Sequence, residues 1–417
     1  MTTAAKSAMF ARFWAAQTIS QFGQRFGLFA LPIVAINLFS ASPAQVGYLT
    51  ASLTVCYLVV GLPAGAWVDR WNKRRTMICS AWVRAAVLAL VPLLWIAGAL
   101  ELHWLYLIGI AVGIASVFFD VAYQSVVPFL VARQDIEAAN ARLEGSTQVA
   151  AAGGPAIAGS LVPVVGAPLL IAIDALAYLV CGLLLHSVAD REPSRSSAAS
   201  TTIAQDVRAG LSFVATHPVL RRLVATTGAS NFFSTIVMTL TPILVLRELN
   251  LSATVMGIVL GVGTIGGIAG VVILSVLCKR LRSGATMALG LCLAVASTGL
   301  FPLAGWIGAG RPAGAIALLT VGQVGMTLGA VLFNITQVST RQRVCPPRLL
   351  GRMTSSIRFV VWGSMPAAAL VAGWLGSGLG VIPAMWVGLA GSCLTVLPIL
   401  GMDRLLQEHT TEPSRGE

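Results

Sequence analysis

Charge is scarce in this sequence: Asp, Glu, Lys and Arg make up only 10% of 417 residues, and just three of the 27 cations are lysine. With 57% hydrophobic residues and a mean hydropathy of +0.85, that scarcity excludes an ordinary soluble domain. None of the lysines, Lys6, Lys73 and Lys279, follows a glycine, so a Walker A phosphate loop is not encoded and ATP is not the chain's own energy source. The four histidines (His103, His186, His217, His409) are too far apart in sequence to suggest a metal cluster. The seven cysteines form no Cys-x-x-Cys pair and read as small apolar packing residues. No catalytic constellation emerges, and the expectation is a non-enzyme with no cofactor and no metal. Residues Met1 to Arg12 lack the pattern of a cleaved leader, and the first apolar stretch reads as a retained span.

What the sequence has in abundance is apolar stretches of about 20 residues, the length that crosses a bilayer as a helix. Charges, proline and glycine break them into twelve predicted helices: 13–38, 44–68, 76–98, 103–131, 143–165, 167–188, 221–246, 253–277, 285–305, 313–339, 353–376 and 381–402. With these spans, 22 of the 27 Lys and Arg fall on the side carrying both termini, two (Arg247, Arg311) on the other, and three (Arg25, Arg84, Arg358) inside helices. The positive-inside rule then makes both termini cytoplasmic. The net charge of +12 is thereby a membrane feature, and no nucleic-acid partner is expected.

The longest polar stretch, Asp190 to Pro218, separates two halves, so the expected organisation is a bundle at 1–189, a linker at 190–219 and a second bundle with a short cytoplasmic tail at 220–417. Ile203, Val207, Leu211 and Val214 recur at helical intervals and predict an amphipathic helix on the cytoplasmic membrane surface. Displaced by 210 residues, the halves share twelve identities between residues 10 and 77, among them Pro32/Pro242, Ser42/Ser252, Gly47/Gly257 and Met77/Met287. Two six-helix halves in the same orientation are the architecture of secondary transporters that rock about a central site.

Between the second and third spans the chain reads Gly61-Leu-Pro-Ala-Gly65-Ala-Trp-Val-Asp69-Arg70, followed by Lys73, Arg74 and Arg75. This resembles the signature loop of the major facilitator superfamily. The resemblance implies an all-α polytopic membrane protein of twelve transmembrane helices in two pseudo-symmetric six-helix bundles. It also implies a cytoplasmic gate, with Asp69 facing the start of the eleventh helix near Arg352 and Arg358; Gly61 and Gly65 are expected to let two helix backbones approach closely. The degenerate copy in the second half puts Lys279 where Asp69 stands, so the latch is expected to be asymmetric. The stretch Gly153-Gly154-Pro155-Ala-Ile-Ala158-Gly159 resembles, in part, the Gly-Pro-x-x-Gly-Gly run associated with antiporters of that superfamily. Gln124-Ser-Val-Val-Pro128, Asp174-Ala-Leu-Ala-Tyr178 and His217-Pro-Val-Leu-Arg221 add a similarity to the bacterial drug and metabolite secretion branch, which contains macrolide efflux proteins and the enterobactin exporter. One departure is Gly23-Gln24 in the first span, where that branch often has Gly-Asp.

Ionisable groups inside the hydrocarbon are costly and mark transport routes. Asp120, one turn before Gln124 and near Tyr123, is the first candidate for proton carrier, with Arg25 or Arg84 as the cation that tunes it; Asp174 ranks second and could instead brace helices. In the first half, Gln17, Gln21, Gln24, Phe26 and Tyr57 are candidates to line the cavity. Asn231, Phe232, Gln323, Phe333, Asn334 and Trp362 are their counterparts in the second. Aromatic and uncharged polar side chains suit an apolar to amphipathic molecule, while Arg25 leaves room for an anion such as a siderophore. The expected partners are a small molecule, protons and the bilayer of a bacterial cytoplasmic membrane, with the chain acting as a monomer. The expected function is export of an antibiotic or secondary metabolite in exchange for protons. The alternatives are an importer of the same fold, a siderophore exporter and a non-transporting receptor.

Overall fold

In a bilayer every backbone N–H and C=O must find its partner within the protein, which leaves helices as the economical way across for apolar runs of this length. The computed structural model describes residues 3–132, 135–188, 212–308, 310–345 and 350–411, and no β-strand occurs among the described residues. The first span is the helix Thr3–Phe39, the third Lys73–Ile96, the fourth Leu102–Leu130, the fifth Ile136–Val165 and the sixth Ala167–His186. The seventh, Pro218–Ile243, continues into a π-helical turn, Leu244–Glu248, and is followed by the eighth, Ala253–Arg280. The ninth runs Ser283–Thr298 and Leu300–Ile307, the tenth Pro312–Val344, the eleventh Leu350–Leu379 and the twelfth Val381–Leu394. A last helix, Met402–Thr411, follows.

Eleven helical segments among the described residues are long and apolar enough to cross a membrane. The second of the twelve expected spans is also present, but in two pieces, Pro43–Val59 and Gly61–Arg70. The break has a local cause: Pro63 has no N–H to donate to the carbonyl of Val59 one turn earlier. Large apolar side chains such as Leu93, Ile96, Leu183, Ile268, Val272 and Trp374 are more than half exposed, as expected of a surface solvated by lipid.

The chain divides into two compact units, Met1–Ser200 with Ser252–Gly261, and Thr201–Leu251 with Val262–Glu417. The 210-residue repeat is visible in the backbone of each. Ser40 (φ 47°) and Asn250 (φ 49°) are the two non-glycine residues with positive φ among the described residues, and they are related by that displacement. Two residues later Ser42 accepts a hydrogen bond from Gln45 N, and Ser252 Oγ accepts one from Val255 N, both at 3.3 Å, so each half restarts its second helix on the same serine cap.

At the next helix start the halves diverge. Asn72 caps the third span, its Oδ1 accepting from Arg75 N at 2.9 Å. The equivalent residue is Arg282, which has no acceptor to offer, and the cap comes instead from the last helix: Asp403 accepts from Gly284 N at 2.7 Å and Ala285 N at 3.1 Å. Replacing a capping Asp by Ala typically costs ~0.5–2 kcal/mol. Asp403→Ala is therefore expected to lower the unfolding temperature of the purified protein. Arg282→Asn in that background is expected to recover most of the loss by restoring a local cap; no recovery in thermal melts would mean that Asp403 acts by some other contact.

Two expectations are corrected here. Gly61 and Gly65 do not mark a close helix approach: a Cβ at either would meet no atom within 4 Å among the described residues. The short helix is instead held to the fourth span by aromatic stacking, Trp67 and Trp71 lying 6.1 and 5.6 Å from Phe118. Phe333 belongs to the core of the second unit, packed with Met287, Leu291 and Val295, because its position on the tenth span faces the ninth. Most of the expected surface helix, including Ile203, Val207 and Leu211, lies outside the described residues; Val214, at its end, is buried with Leu220, Val224, Met353 and Ile357.

Candidate functional site

The first unit gathers four of the five intramembrane ionisable residues. Asp174 on the sixth span is 2% exposed and lies across the first span at Gly23 and Gly27. A Cβ at Gly23 would stand 2.8 Å from Asp174 Oδ1, and one at Gly27 would overlap Oδ2, so the carboxyl occupies a notch that only two glycines one turn apart can leave. Oδ1 has no hydrogen-bond partner there. The Gly-x-x-x-Gly spacing of 23 and 27 was the available signal for this notch. Asp174 is thus packed between the first and sixth spans.

One turn along the same helix, Tyr178 offers its ring to Arg84 of the third span, whose guanidinium carbon sits 3.8 Å from the ring centroid. Arg84 is 3% exposed, and its Nε makes no hydrogen bond. The charge of Arg84 thus meets the ring face through a cation–π contact. Tyr178 was not among the expected site residues; its spacing of four from Asp174 puts both on one helix face and could have pointed to it.

Asp120 has a different setting. It is half-buried on the fourth span and accepts a hydrogen bond from the Tyr57 hydroxyl at 2.8 Å, which ties the second span to the fourth. Tyr123, one turn further, stacks on Phe13 with ring centroids 6.1 Å apart. The structure therefore brings Tyr57 to Asp120 directly, whereas Gln124's side chain lies outside what is described.

Arg25 was expected to tune an acid, and among the described residues it pairs with none. Its stem lies along Gly154 of the fifth span, where a Cβ would stand 2.6 Å from Arg25 Cβ and 3.0 Å from Cγ. Its Nε is buried and has no hydrogen-bond partner. Gln21 and Gln24 are half-buried nearby in sequence, Gln17 is 3% exposed, and Phe26 meets Phe22 edge to face at 6.5 Å.

The remainder of the glycine-proline stretch is used within the same unit. Thr254 Oγ1 donates to Gly159 O at 2.9 Å, and a Cβ at Gly159 would stand 2.7 Å from Ala253 O and 2.9 Å from Gly257 Cα. Backbone meets backbone at this crossing, and the carbonyl of Pro155 lies against Gly257. At the opposite end of the unit, Arg74 donates to Leu185 O at 3.1 Å and to His186 O, and Arg12 donates to Ser187 O at 3.3 Å. Arg74 thereby neutralises the C-terminal carbonyls of the sixth span, a role its place in a basic loop did not disclose. Arg70 is exposed, and the side chains of Asp69, Arg352 and Arg358 lie outside what is described, as do any latch contacts they make.

In the second unit the expected cavity residues separate. Asn231 donates to Thr227 O at 2.8 Å, and Phe232 packs edge to face on Phe233 at 5.3 Å. Gln323 is 9% exposed, lies against Gly263, and leaves Oε1 without a partner. Asn334 is exposed and accepts from Gln337 Nε2 at 3.3 Å, while Trp362 is half-buried.

Residues 13–369 match the family described as the Major Facilitator Superfamily. A protein of Sinorhizobium fredii described as the uncharacterized MFS-type transporter y4rN is 26% identical over 368 residues, 86% of each chain. Among solved structures, a bacterial homolog to the human lysosomal transporter Spinster, inward-facing and unoccupied, is similar at TM-score 0.75 and 14% identity, over 99% of this chain and 100% of that one. A bacterial homologue of the iron transporter ferroportin in its inward-facing state gives 0.75 and 18%, over 97% and 100% of the two chains. The nucleoside transporter NupG, in a mutant form, gives 0.78 and 11%, over 94% and 99%. At these identities the likeness to solved structures is one of fold.

Proposed function

The chain belongs to the Major Facilitator Superfamily, and from that premise we propose that it is a proton-coupled exporter of a small amphipathic organic molecule, an antibiotic or secondary metabolite, working by alternating access. The observation that carries the proposal is the Tyr57–Asp120 pair. A carboxyl held well inside a spanning helix, half-buried and hydrogen-bonded at 2.8 Å to a phenol, is a group suited to take up and release a proton. Asp174 is sealed in its glycine notch, so the carrier role falls to Asp120 and the bracing role to Asp174. Export is supported by the Gly154-Pro155-x-x-x-Gly159 stretch, and a place in the drug and metabolite secretion branch by the short motifs at Gln124–Pro128 and Asp174–Tyr178.

The test uses everted membrane vesicles acidified inside, with the full chain present and a panel of macrolides, other amphipathic antibiotics and siderophores added in turn. Collapse of the pH gradient that depends on both substrate and protein is the expected result. Uptake of the same compounds by right-side-out vesicles would instead establish an importer. The setting proposed is a bacterial cytoplasmic membrane, the chain acting as a monomer with both termini inside. Cysteine labelling from outside intact cells is expected to reach the turn at 38–44 and to miss the loop at 69–76; the reverse pattern would overturn this orientation.

A further inference from the structure

We propose that the transported molecule is an organic anion whose carboxylate or comparable oxyanion is seated by Arg25, a side chain whose stem Gly154 makes room for. This rests on the export reading above and names the chemistry of its cargo.

The first unit compensates its other intramembrane charges internally. Arg84 has the Tyr178 face, Asp120 has the Tyr57 hydroxyl, and Asp174 lies near Arg84 in its notch. Arg84 Nε and Asp174 Oδ1 are also buried without a hydrogen bond, but Arg84 has the Tyr178 ring and Asp174 the charge of Arg84, whereas Arg25, with its Nε likewise unpartnered, has neither ring nor opposite charge among the described residues. A guanidinium in that position is costly to keep in a membrane unless an anion completes it.

A lipid phosphate cannot be that anion. Arg25 stands 14 residues from Phe39 and 16 from Met9, the ends of the first apolar span. At 1.5 Å per residue each end is roughly 20 Å away, well beyond the reach of an arginine side chain. No acid of the same helix supplies the charge either, since its neighbours are the neutral Gln21 and Gln24.

The surroundings fit a cargo that is both anionic and aromatic. Gly153 and Gly154 form one bare patch on the fifth span, and it carries two side chains of the first: the Arg25 stem over Gly154 and the Phe22 ring, 3.8 Å from where a Cβ of Gly153 would stand. Phe22 is in turn packed on Phe26. A planar fork on a stretch of helix that also carries Phe22 and Phe26, with Gln21 one turn before it and Gln24 next to it, suits a carboxylate on an aromatic body.

Binding of 1-pyrenebutyric acid and of its methyl ester, which differ in charge and hardly in shape, tests this with the full chain in nanodiscs and empty nanodiscs as the blank. The acid is expected to bind at least tenfold more tightly than the ester. Arg25→Gln should weaken the acid at least tenfold and leave the ester unchanged, whereas Arg25→Lys should keep part of the preference. Gly154→Ala should weaken the acid in the wild-type background but add nothing to Arg25→Gln. Equal binding of acid and ester, an unchanged acid affinity in Arg25→Gln, or no binding of either by folded protein would each overturn the seat. The assay needs no proton gradient, which separates the two proposals. Charge-selective binding without proton coupling would support the seat and sink the antiport; proton release driven equally by neutral compounds would do the opposite.

Discussion

Substrate-driven proton release is expected to fall to the level of protein-free vesicles when Asp120 becomes Asn. The amide is nearly isosteric, and its oxygen can still accept the Tyr57 hydroxyl that lies 2.8 Å from the carboxylate, so the tie between second and fourth spans survives. What disappears is the one property at issue, the ability to gain and lose a proton. Size-exclusion profiles should match those of the wild type, and vesicles should carry the same amount of protein. Release at the wild-type rate from such vesicles would clear Asp120 of the carrier role. Asp174→Asn provides the contrast: in a notch that excludes solvent, its effect should appear first in thermal stability and only secondarily in turnover.

The second large effect concerns folding. Gly329 on the tenth span meets the ninth at backbone level: a Cβ there would stand 2.5 Å from Ala294 N and 3.0 Å from Ala294 Cα, with Gly290 O closer still. From the other side, a Cβ at Gly290 would be 2.8 Å from Phe333 N. Neither neighbour is the end of a flexible side chain, so Gly329→Ala must push two helices apart across the core that contains Met287, Leu291 and Phe333. Overpacking of this kind costs about 1–3 kcal/mol and sometimes more. Loss of the monodisperse peak in fluorescence-detected size exclusion is the expected reading. Gly378→Ala, on a helix position with nothing within 4 Å, should leave the peak intact. An unaffected Gly329→Ala would show that the ninth and tenth spans can separate without loss.

The layout of spans was legible because the bilayer imposes a single length on the apolar runs of the sequence. The repeat was legible through Pro32 and Ser42, and the paired positive-φ residues Ser40 and Asn250 show that it extends to backbone detail that no identity marks. The contacts were far less legible. With 42 glycines in the chain, nothing in composition distinguishes Gly61 and Gly65, which meet no atom within 4 Å among the described residues, from Gly27 or Gly329, which meet a carboxyl and a backbone. Aromatic residues gave the same ambiguity: Phe333 reads like a cavity residue and is core. Charged residues were found by type and missed by partner. Arg74 was visible as a basic residue of a loop, but its target carbonyls lie more than a hundred residues on. Arg25 stood out as an intramembrane cation, yet only the structure shows that no acid among the described residues attends it and that Gly154 makes room for its stem.

The cap that Asp403 places on the ninth span has a consequence for biosynthesis. The carboxylate and the amide of Gly284 are 119 residues apart in the chain. At translation rates of ~5–20 residues per second, the start of that helix waits roughly 6–24 s for its cap after it has been made. The third span, capped by Asn72 next door, waits for nothing. The first half can therefore close its helix ends as they leave the ribosome, while the second keeps two donors open until residue 403 arrives, an interval in which a stalled ribosome or an early stop codon would leave a recognisably unfinished protein to quality control.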